Sequence, residues 1–299
     1  MEKNEHISVL LNEVTDALKN NVEKDGLIVD CTLGRGGHFF ALLKYFNNML
    51  GLDADTDSID YVSLKLKKLG YKNTNNVFVK GNKKVLIYNQ NFNKLTNILS
   101  ELNTNPSAVL LDLGISTYQL KKSGRGFSFN FVFEPLDMRI DTVNCKVTAS
   151  DLVNGLTKKD LQDLFFNFGG ETKSKYFANL ICLYREKNKI VTVGDFLKAI
   201  KIDSSQKYKK HPATKIFMAL RIAVNLENVN LKKVLADLKK YIDMGVKVLI
   251  ITFHSLEAKT VKVYCKQNNF KLTKFYPSRD EILNNKSSRS AILNFIKND

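Results

Sequence analysis

The feature of this 299-residue chain that most constrains its fold is a regular alternation of short apolar runs and amphipathic segments in its first third. The apolar runs predict buried strands, and the segments between them have the apolar spacing of helices. This order indicates a parallel sheet whose strands are joined by right-handed crossovers. The predicted strands are Leu27–Asp30, Met49–Asp53, Val85–Tyr88 and Val109–Leu113, and the predicted helices are Phe39–Phe46, Ile59–Leu69 and Leu95–Leu102.

The alternation stops at about Lys121, and residues 121–210 contain no run typical of a buried strand. Helical patterns dominate there. Thr157 and Asp160 resemble a capping box before a helix that Gly169 and Gly170 would end. Further helices are predicted over 172–187 and 193–202, followed by a lysine-rich linker over 203–212.

Strand and helix signals then resume. Pro212 suits the first turn of a helix, and 247–253 (KVLIITF) is the strongest strand signal in the chain. We therefore predict an α/β domain formed by residues 1–120 and 211–299, with a smaller all-helical domain, residues 121–210, inserted between its two parts.

The formal charge of +16 and the pI near 9.5 favour a polyanionic partner such as nucleic acid. Lysine greatly outnumbers arginine, so a compositional bias that fills solvated faces with lysine is the alternative explanation. No apolar run is long enough for a membrane span, and the N-terminus lacks the pattern of a secretory signal. We expect a cytoplasmic protein with reduced cysteines and no metal, because its four cysteines form no Cys-x-x-Cys pair.

The stretch VDCTLGRGGHF places three glycines within four positions between a predicted strand and a predicted helix. Such a turn is typical of a nucleotide cradle, in which backbone N–H groups and the helix dipole face the ligand. Asp53 follows Gly34 by 53 − 34 = 19 residues, close to the spacing at which an acidic side chain binds ribose hydroxyls.

The ligand of this turn is further restricted by Phe39, which stands where a dinucleotide-binding fingerprint requires glycine. S-adenosylmethionine, which carries a positive sulfonium and no pyrophosphate, suits the turn better, because Asp30, Asp53 and Asp112 all end predicted strands. The alternative is purely structural, with glycines that form a tight turn and aspartates that cap helices.

Several other residues stand out from the pattern. Phenylalanines at 127, 129, 131 and 133 alternate with other residues, which predicts either a core-facing strand or, with Arg125 and Arg139, a wall on which a base stacks. Ser255 is most simply the N-cap of a helix. His254 is then a candidate to face a base or a phosphate, and His211 precedes the proline at a helix start.

Eight stretches, in order along the chain, carry a resemblance to one family. They read HISVLLNEV, DCTLGRGGH, LLDLGIST, RGFSF, PLDMRID, HPATKIFMALRIAVN, ITFHSLE and SRSAIL. The chain resembles the bacterial ribosomal RNA small-subunit methyltransferase H family over essentially its whole length.

This resemblance implies a Rossmann-like class I S-adenosylmethionine-dependent methyltransferase sheet with an inserted helical domain. The implied reaction is methylation of the N4 amine of a cytidine in the decoding region of 16S rRNA, with naked rRNA or the assembled 30S subunit as partner. The resemblance assigns cofactor binding to Gly36, Gly37, His38, Asp53, Phe92, Asp112 and Gln119. Candidate substrate-side residues are Arg125, Phe127, Phe129, Arg139, His211 and His254.

Asp112 is also the candidate catalytic residue, since an acceptor near the amine hydrogens would stabilise the positive charge that develops on N4. Two other functions remain open. One is a catalytically inactive RNA-binding assembly factor on the same fold. The other is a small-molecule or DNA methyltransferase, which is disfavoured because no Asx-Pro-Pro-aromatic motif follows the fourth predicted strand. The sequence leaves the oligomeric state open, with a homodimer as one possibility.

Overall fold

The computed structural model of the protein describes residues 8–202 and 211–298. The chain divides into two compact units, one formed by Met1–Gly114 and Asn228–Asp299 and the other by Ile115–Glu227. Most of the predicted linker, residues 203–210, lies outside the described residues. Within the described ranges, no helix combines the length and the apolar character that a membrane crossing requires.

The first unit is built on a mixed sheet of nine strands in the order β3-β4-β5-β2-β1-β6-β7-β9-β8. The five central strands, from β5 to β7, are parallel, and an antiparallel pair flanks them on each side. The strands are β1 (Leu27–Asp30), β2 (Asn48–Asp53), β3 (Lys72–Thr74), β4 (Val77–Lys80), β5 (Lys83–Asn89), β6 (Ala108–Asp112), β7 (Lys247–Thr252), β8 (Lys271–Phe275) and β9 (Ile292–Lys297).

Thirteen α-helices and two 3₁₀ turns, at Phe92–Lys94 and Lys286–Ser290, complete the described elements. The helices are α1 (Leu11–Lys19), α2 (Gly37–Leu42), α3 (Thr56–Lys68), α4 (Leu95–Glu101), α5 (Thr117–Lys122), α6 (Ala149–Gly155), α7 (Lys158–Asn167), α8 (Ser174–Arg185), α9 (Val193–Ala199), α10 (Thr214–Val224), α11 (Glu227–Asp243), α12 (Ser255–Gln267) and α13 (Arg279–Asn284).

The central strands are apolar along their middle positions because both faces of the sheet are covered. Neighbouring residues of a strand therefore enter different clusters. Ile28 and Met49 pack with residues of α2 and α3 on one face, whereas Val29 and Leu50 pack with residues of α4 and α11 on the other. The register pairs Ile28 with Met49 and with Ala108, so the ends of β1, β2 and β6 lie side by side.

The second unit is helical, as the sequence predicts for this part of the chain. Its core is an apolar cluster formed by side chains of α6 to α10, including the fully buried Phe165 and Phe196. Thr157 caps α7 by accepting a hydrogen bond from the Asp160 N–H, and Gly170 adopts a φ of 59° just after that helix ends.

The α/β fold class is confirmed, with differences at the sheet edges. The sequence misses the β3–β4 hairpin because both strands are short and β3 is polar, and it misses β8 and β9 near the end of the chain. Residues of α10 belong to the second unit, because Ile216 and Leu220 enter the same apolar cluster as Phe165. Pro212 lies before the N-cap residue Ala213 rather than in the first turn of α10.

Candidate functional site

Three aspartates end adjacent parallel strands of the first unit. Asp30, Asp53 and Asp112 are the last residues of β1, β2 and β6, which neighbour one another in the sheet. The carboxyl ends of parallel strands form the edge at which open α/β sheets bind ligands. The structure thus brings together the three carboxylates that the sequence singled out.

The glycine turn packs closely against the start of α2. Gly36 has a φ of 75°, and a Cβ atom there would lie 2.6 Å from the ring of Phe40. A Cβ atom on Gly37 would overlap the Oγ atom of Ser8. Glycine is therefore required at both positions, by backbone conformation at the first and by packing at both.

The N–H groups of this turn are less available than the sequence predicted. The Gly34 N–H donates to Asp53 Oδ2 at 2.7 Å, and the Gly36 N–H donates to the Leu33 carbonyl at 2.7 Å. The expectation that these groups face a ligand is wrong for these two glycines, because the turn is closed by its own hydrogen bonds.

Asp53 is held by two backbone donors. Its Oδ2 accepts from Gly34, and its Oδ1 accepts from the Asp55 N–H at 2.8 Å. Burial nevertheless raises the pKa of the Asp53 carboxyl to about 7, although these hydrogen bonds favour the ionised form. The strand-end carboxylate is thus fixed in place, and a positive or hydrogen-bonding ligand group would favour its ionisation.

Thr32 links the ends of β1 and β6. The Asp112 N–H donates to Thr32 Oγ1 at 2.6 Å, and the Thr32 N–H donates to Asp30 Oδ1 at 3.1 Å. The sequence did not single out Thr32, because its only signal is its position two residues after a strand-end aspartate. Its hydroxyl fixes the backbone that carries Asp112.

His38 lies buried between two of the carboxylates. Its Nε2 is 3.5 Å from Asp112 Oδ2, and its side chain is only about 5% exposed. Burial lowers the pKa of His38, but Asp112 and Asp30 more than offset this, so the pKa is raised above its ordinary value. Burial raises the pKa of Asp30 to about 6, against the opposing influence of His38.

This cluster leaves hydrogen-bonding capacity unused. Within the described residues, neither ring nitrogen of His38 makes a hydrogen bond of good geometry, although the ring lies close to Asp112 Oδ2 and to the Val9 backbone, and Asp112 Oδ1 has no partner. Buried polar atoms without partners are costly, and in native proteins they call for an explanation such as a ligand or an ordered water. The cluster is therefore suited to a polar or charged ligand at the strand ends.

Phe92 and its neighbours lie beyond the end of β5. Phe92 begins the 3₁₀ turn Phe92–Lys94 and is half-buried against the cluster that contains Leu95. Asn93 donates from Nδ2 to Asn230 Oδ1 at 2.7 Å. Asn89, the last residue of β5, donates to the Asp53 carbonyl at 2.9 Å.

His254 caps α12. Its Nδ1 accepts from the Glu257 N–H at 3.4 Å, and its Nε2 lies 3.0 Å from Glu257 Oε1. The prediction that Ser255 is the N-cap is wrong, because Ser255 is the first residue of the helix. Glu257 also accepts from the Phe253 N–H at 2.8 Å, so the imidazole is held in a capping box.

Gln119 belongs to the second unit and caps α5. Its Oε1 accepts from the Ser116 N–H at 2.9 Å, while Ser116 Oγ accepts from the Gln119 N–H at 3.2 Å. The side chain is buried, and its oxygen takes part in this capping box.

The phenylalanine-rich segment of the second unit is not a strand. Residues 125–134 form turns, because Gly124 and Gly126 have positive φ and consecutive side chains do not alternate between two faces. Phe127 is buried in the core, whereas Phe133 is 94% exposed. Phe129 stacks on His211 with ring centroids 3.9 Å apart and an interplanar angle of 6°.

The two arginines of this segment make fixed internal contacts. Arg125 donates to the carbonyls of Arg139 and Ile140 at 3.0 Å each. Arg139 forms two hydrogen bonds to the Asp137 carboxylate, at 2.7 and 2.8 Å, and a third to the Cys145 carbonyl at 2.9 Å. These cations hold the loop in shape.

His211 is held at the start of α10. Its Nδ1 accepts from the Ala213 N–H at 3.3 Å, and burial lowers its pKa. The structure thus gathers Arg125, Arg139, Phe129 and His211 within the second unit as parts of its internal framework.

Comparisons with known proteins agree with this arrangement. The model of the MraW methylase family matches residues 3–299. Proteins named "Ribosomal RNA small subunit methyltransferase H" are similar along nearly their whole length. The one from Dictyoglomus thermophilum is 36% identical over 96% of this chain and 95% of its own, and the one from Thermosipho africanus is 37% identical over 97% of each. The relative from Petrotoga mobilis is 36% identical over 96% of this chain and 99% of its own.

The resemblance predicted from the eight sequence motifs is thereby confirmed, and so is S-adenosylmethionine as the cofactor of a methylase with this sheet. Both follow from a match that covers almost every residue, including the glycine turn and the three strand-end aspartates. The chain belongs to the MraW methylase family.

Proposed function

We propose that this protein transfers a methyl group from S-adenosylmethionine to the N4 amine of a cytidine in the decoding region of 16S rRNA. The observation that carries the proposal is the buried His38–Asp112 pair with unused hydrogen-bonding atoms among three strand-end carboxylates, in a chain of a methylase family. The names of the relatives supply the small-subunit rRNA as substrate.

The residues at this edge fit the proposed cofactor. Asp53 has a fixed carboxylate suited to ribose hydroxyls. The family resemblance adds Gly36 and Gly37 of the adjoining turn to the proposed cofactor set. The negative charge of Asp30 and Asp112 favours the positively charged methionine part. Phe92 offers a half-buried ring for the adenine, and Gln119 and His38 complete the proposed set.

S-adenosylmethionine supplies an electrophilic methyl group when bound. The work left to this chain is orientation, because the lone pair of cytosine N4 is delocalised into the ring and makes a poor nucleophile. Asp112 is the proposed acceptor for the amine hydrogens and stabilises the charge that develops on N4. The methylated amine is acidic, so it can lose its proton to water without a strong base.

The second unit is proposed as the substrate-side domain. The target base must leave its stack to reach the methyl donor. Arg125, Arg139, Phe127, Phe129 and His211 are the proposed substrate-side residues of this unit. His254 is a separate substrate-side candidate of the first unit. The proposed site of action is the cytoplasm, and a homodimer stays a prediction.

The test is methyl transfer from radiolabelled S-adenosylmethionine to 30S particles that lack the modification. We expect label in N4-methylcytidine after digestion and chromatography. A parallel reaction with naked 16S rRNA identifies which form is the acceptor, and duplex DNA serves as the competing substrate.

The proposal is contradicted if no label appears in N4-methylcytidine while a control methyltransferase labels the same particles. Preference for duplex DNA would favour the DNA methyltransferase instead. An inactive assembly factor would bind the 30S particle and transfer no label to it.

A further inference from the structure

One lysine-rich surface of the first unit lies away from the strand-end carboxylates. Residues 61–100 contain eight lysines and no aspartate or glutamate. In the structure this segment forms most of α3, the β3–β4 hairpin, β5 and α4. The unit therefore has a positively charged corner, and the segment that forms it contains no acidic side chain to balance that charge.

The end of α3 is joined to the hairpin at this corner. Tyr71 N–H donates to the Leu66 carbonyl and Gly70 N–H to the Lys67 carbonyl, which is the Schellman pattern that ends a helix. Lys80 is the last residue of β4, and its Nζ donates to the Leu69 carbonyl just after α3, at 2.7 Å. The last turn of the helix and the hairpin are thus neighbours.

Two further lysines lie across the outer strands of the sheet. The register pairs Lys72 of β3 with Val79 of β4, and Val79 with Lys84 of β5. Residues that pair directly across strands share a face, and strands lie about 4.8 Å apart. Lys72 and Lys84 therefore stand about 10 Å apart on one face, on either side of the 44%-exposed Val79.

We define the basic corner as Lys67, Lys68, Lys72 and Lys84, all of which are exposed. None of the four forms an ion pair with another described residue. Lysines on an edge strand also discourage sheet-to-sheet aggregation, and those at a helix end favour its dipole. Protection of a sheet edge does not explain Lys67 and Lys68, which are on α3. The helix dipole does not explain Lys72 and Lys84, which are on strands.

From this surface we propose that the basic corner binds the phosphate backbone of RNA outside the target nucleotide. This inference rests on the proposed function, which makes RNA the polyanion that the protein meets. The corner lies at the amino ends of the strands, because Lys84 is near the start of β5 and Asn89 ends it. Seven residues of strand span roughly 20 Å, so the corner would hold RNA far from the methyl donor.

The test compares two variants with the same change of charge. The corner variant replaces Lys67, Lys68, Lys72 and Lys84 by Gln. The control variant replaces Lys232, Lys262, Lys266 and Lys271 by Gln. The control lysines are exposed residues of the same unit, and they include one in the last turn of α12 and one on the opposite edge strand β8.

Binding is measured without cofactor, using a labelled fragment of 16S rRNA over a range of salt concentrations. We expect the corner variant to bind at least about tenfold more weakly than the wild type at low salt. The slope of log K against log salt concentration should become less steep by about 3 if all four lysines contact phosphates of single-stranded RNA. The control variant should stay within about threefold of the wild type, because its lysines lie outside the basic corner and act on RNA bound there only through screened long-range charge.

Equal losses in the two variants, or no loss in the corner variant, would overturn the proposal. So would a corner that binds anionic phosphatidylserine vesicles but not RNA. Thermal melting of both variants identifies any loss that arises from unfolding.

Turnover separates this inference from the proposed function. With undermethylated 30S particles, the corner variant should show a raised KM and an unchanged kcat. If the wild type methylates but the two variants behave alike, the corner proposal fails alone. If the wild type binds RNA through the corner but transfers no methyl group, the proposed function fails alone.

Discussion

The strand ends of the first unit and the loop 125–139 of the second both carry charged residues that the sequence marks as functional, yet their side chains are used differently. At the strand ends, His38 and Asp112 keep buried polar atoms without partners among the described residues. In the loop, the Arg125 and Arg139 guanidinium groups donate to carbonyls and to a carboxylate of the same unit.

The difference has a simple energetic meaning. A buried polar atom without a partner costs free energy, which a ligand recovers on binding. A guanidinium whose donors are already paired gains little from a ligand and instead holds the backbone. We therefore expect ligand binding at the strand ends and a framework role for the two arginines, and both expectations can be tested by substitution.

The largest effect is expected from Asp53→Ala. The substitution removes a carboxylate that is held toward the glycine turn, so S-adenosylmethionine should bind at least about 100-fold more weakly, as for the loss of charged hydrogen bonds. Isothermal titration calorimetry on the folded variant measures this. Asp60→Ala, an exposed position of α3, is the control and should bind like the wild type. If the Asp53 variant binds S-adenosylmethionine within a few-fold of the wild-type affinity, the Asp53 strand end is not part of the cofactor site.

The next effect concerns the framework role. Arg139→Ala should lower the free energy of unfolding by about 2 kcal/mol, because Asp137 loses its partner and the Cys145 carbonyl loses a donor. Urea unfolding measures it. Lys159→Ala, which breaks the exposed pair with Asp163, is the control and should leave the free energy of unfolding close to that of the wild type.

A double-variant cycle with Asp137→Ala sharpens the same point. The sum of the losses in the two single variants should exceed the loss in the double variant by about 1 kcal/mol, because the two residues are in contact. Full additivity would mean that the pair contributes nothing and that Arg139 is available for a substrate.

A pH effect of intermediate size is expected at Asp30. Its pKa is raised from 3.8 to about 6 in the folded protein, so the folded state holds the proton more tightly than the unfolded state. The resulting stabilisation is complete below about pH 4 and is lost as the pH rises through 6. Asp30→Asn removes this dependence. The variant should match the wild type at pH 4 and exceed it by about 1–2 kcal/mol at pH 8, where the wild type carries a buried charge.

Urea unfolding of both proteins at several pH values measures the difference. Titrating groups remote from Asp30 cancel because both proteins contain them, whereas the His38 pKa, which Asp30 helps to raise, shifts with the substitution. A difference that does not change with pH would show that the Asp30 carboxyl is not affected by burial.

The smallest effect is expected from Phe129→Leu. Loss of the stack on His211 should lower the free energy of unfolding by about 1 kcal/mol. Phe133→Leu is the control, and it should leave stability unchanged because Phe133 is 94% exposed. If Phe129→Leu leaves stability unchanged but weakens RNA binding, the ring is a base platform instead of a framework contact.

The sequence predicted much of the central sheet, because the signals are local. The strand at residues 27–30 has the predicted limits, and the three other early strands differ by at most two residues at either end. The acidic strand ends were predictable for the same reason, since each aspartate directly follows the apolar residues of its strand in the sequence. Thr157 was predictable as a cap because its partner Asp160 is three residues away.

The errors arose where long-range pairing overrides a local pattern. The alternating phenylalanines predicted a strand or a stacking wall, but no neighbouring strand pairs with them and Gly126 must turn to pass the Pro135 carbonyl. Ser255 has the composition of a cap, yet His254 takes that place because Glu257 can contact both its ring and its backbone. Lys72 and Lys84 are twelve residues apart, and only strand register shows that they share a face.

Periodicity and motif order were thus enough to predict the α/β class, the inserted helical region and the acids at the strand ends, since each depends on residues that are close in the chain. Folding alone could decide which polar atoms find partners. The Gly34 N–H meets a carboxylate 19 residues away, and Asp112 meets a hydroxyl 80 residues away. Such contacts depend on which strands become neighbours, and they distinguish the side chains that hold the fold from those left for a ligand.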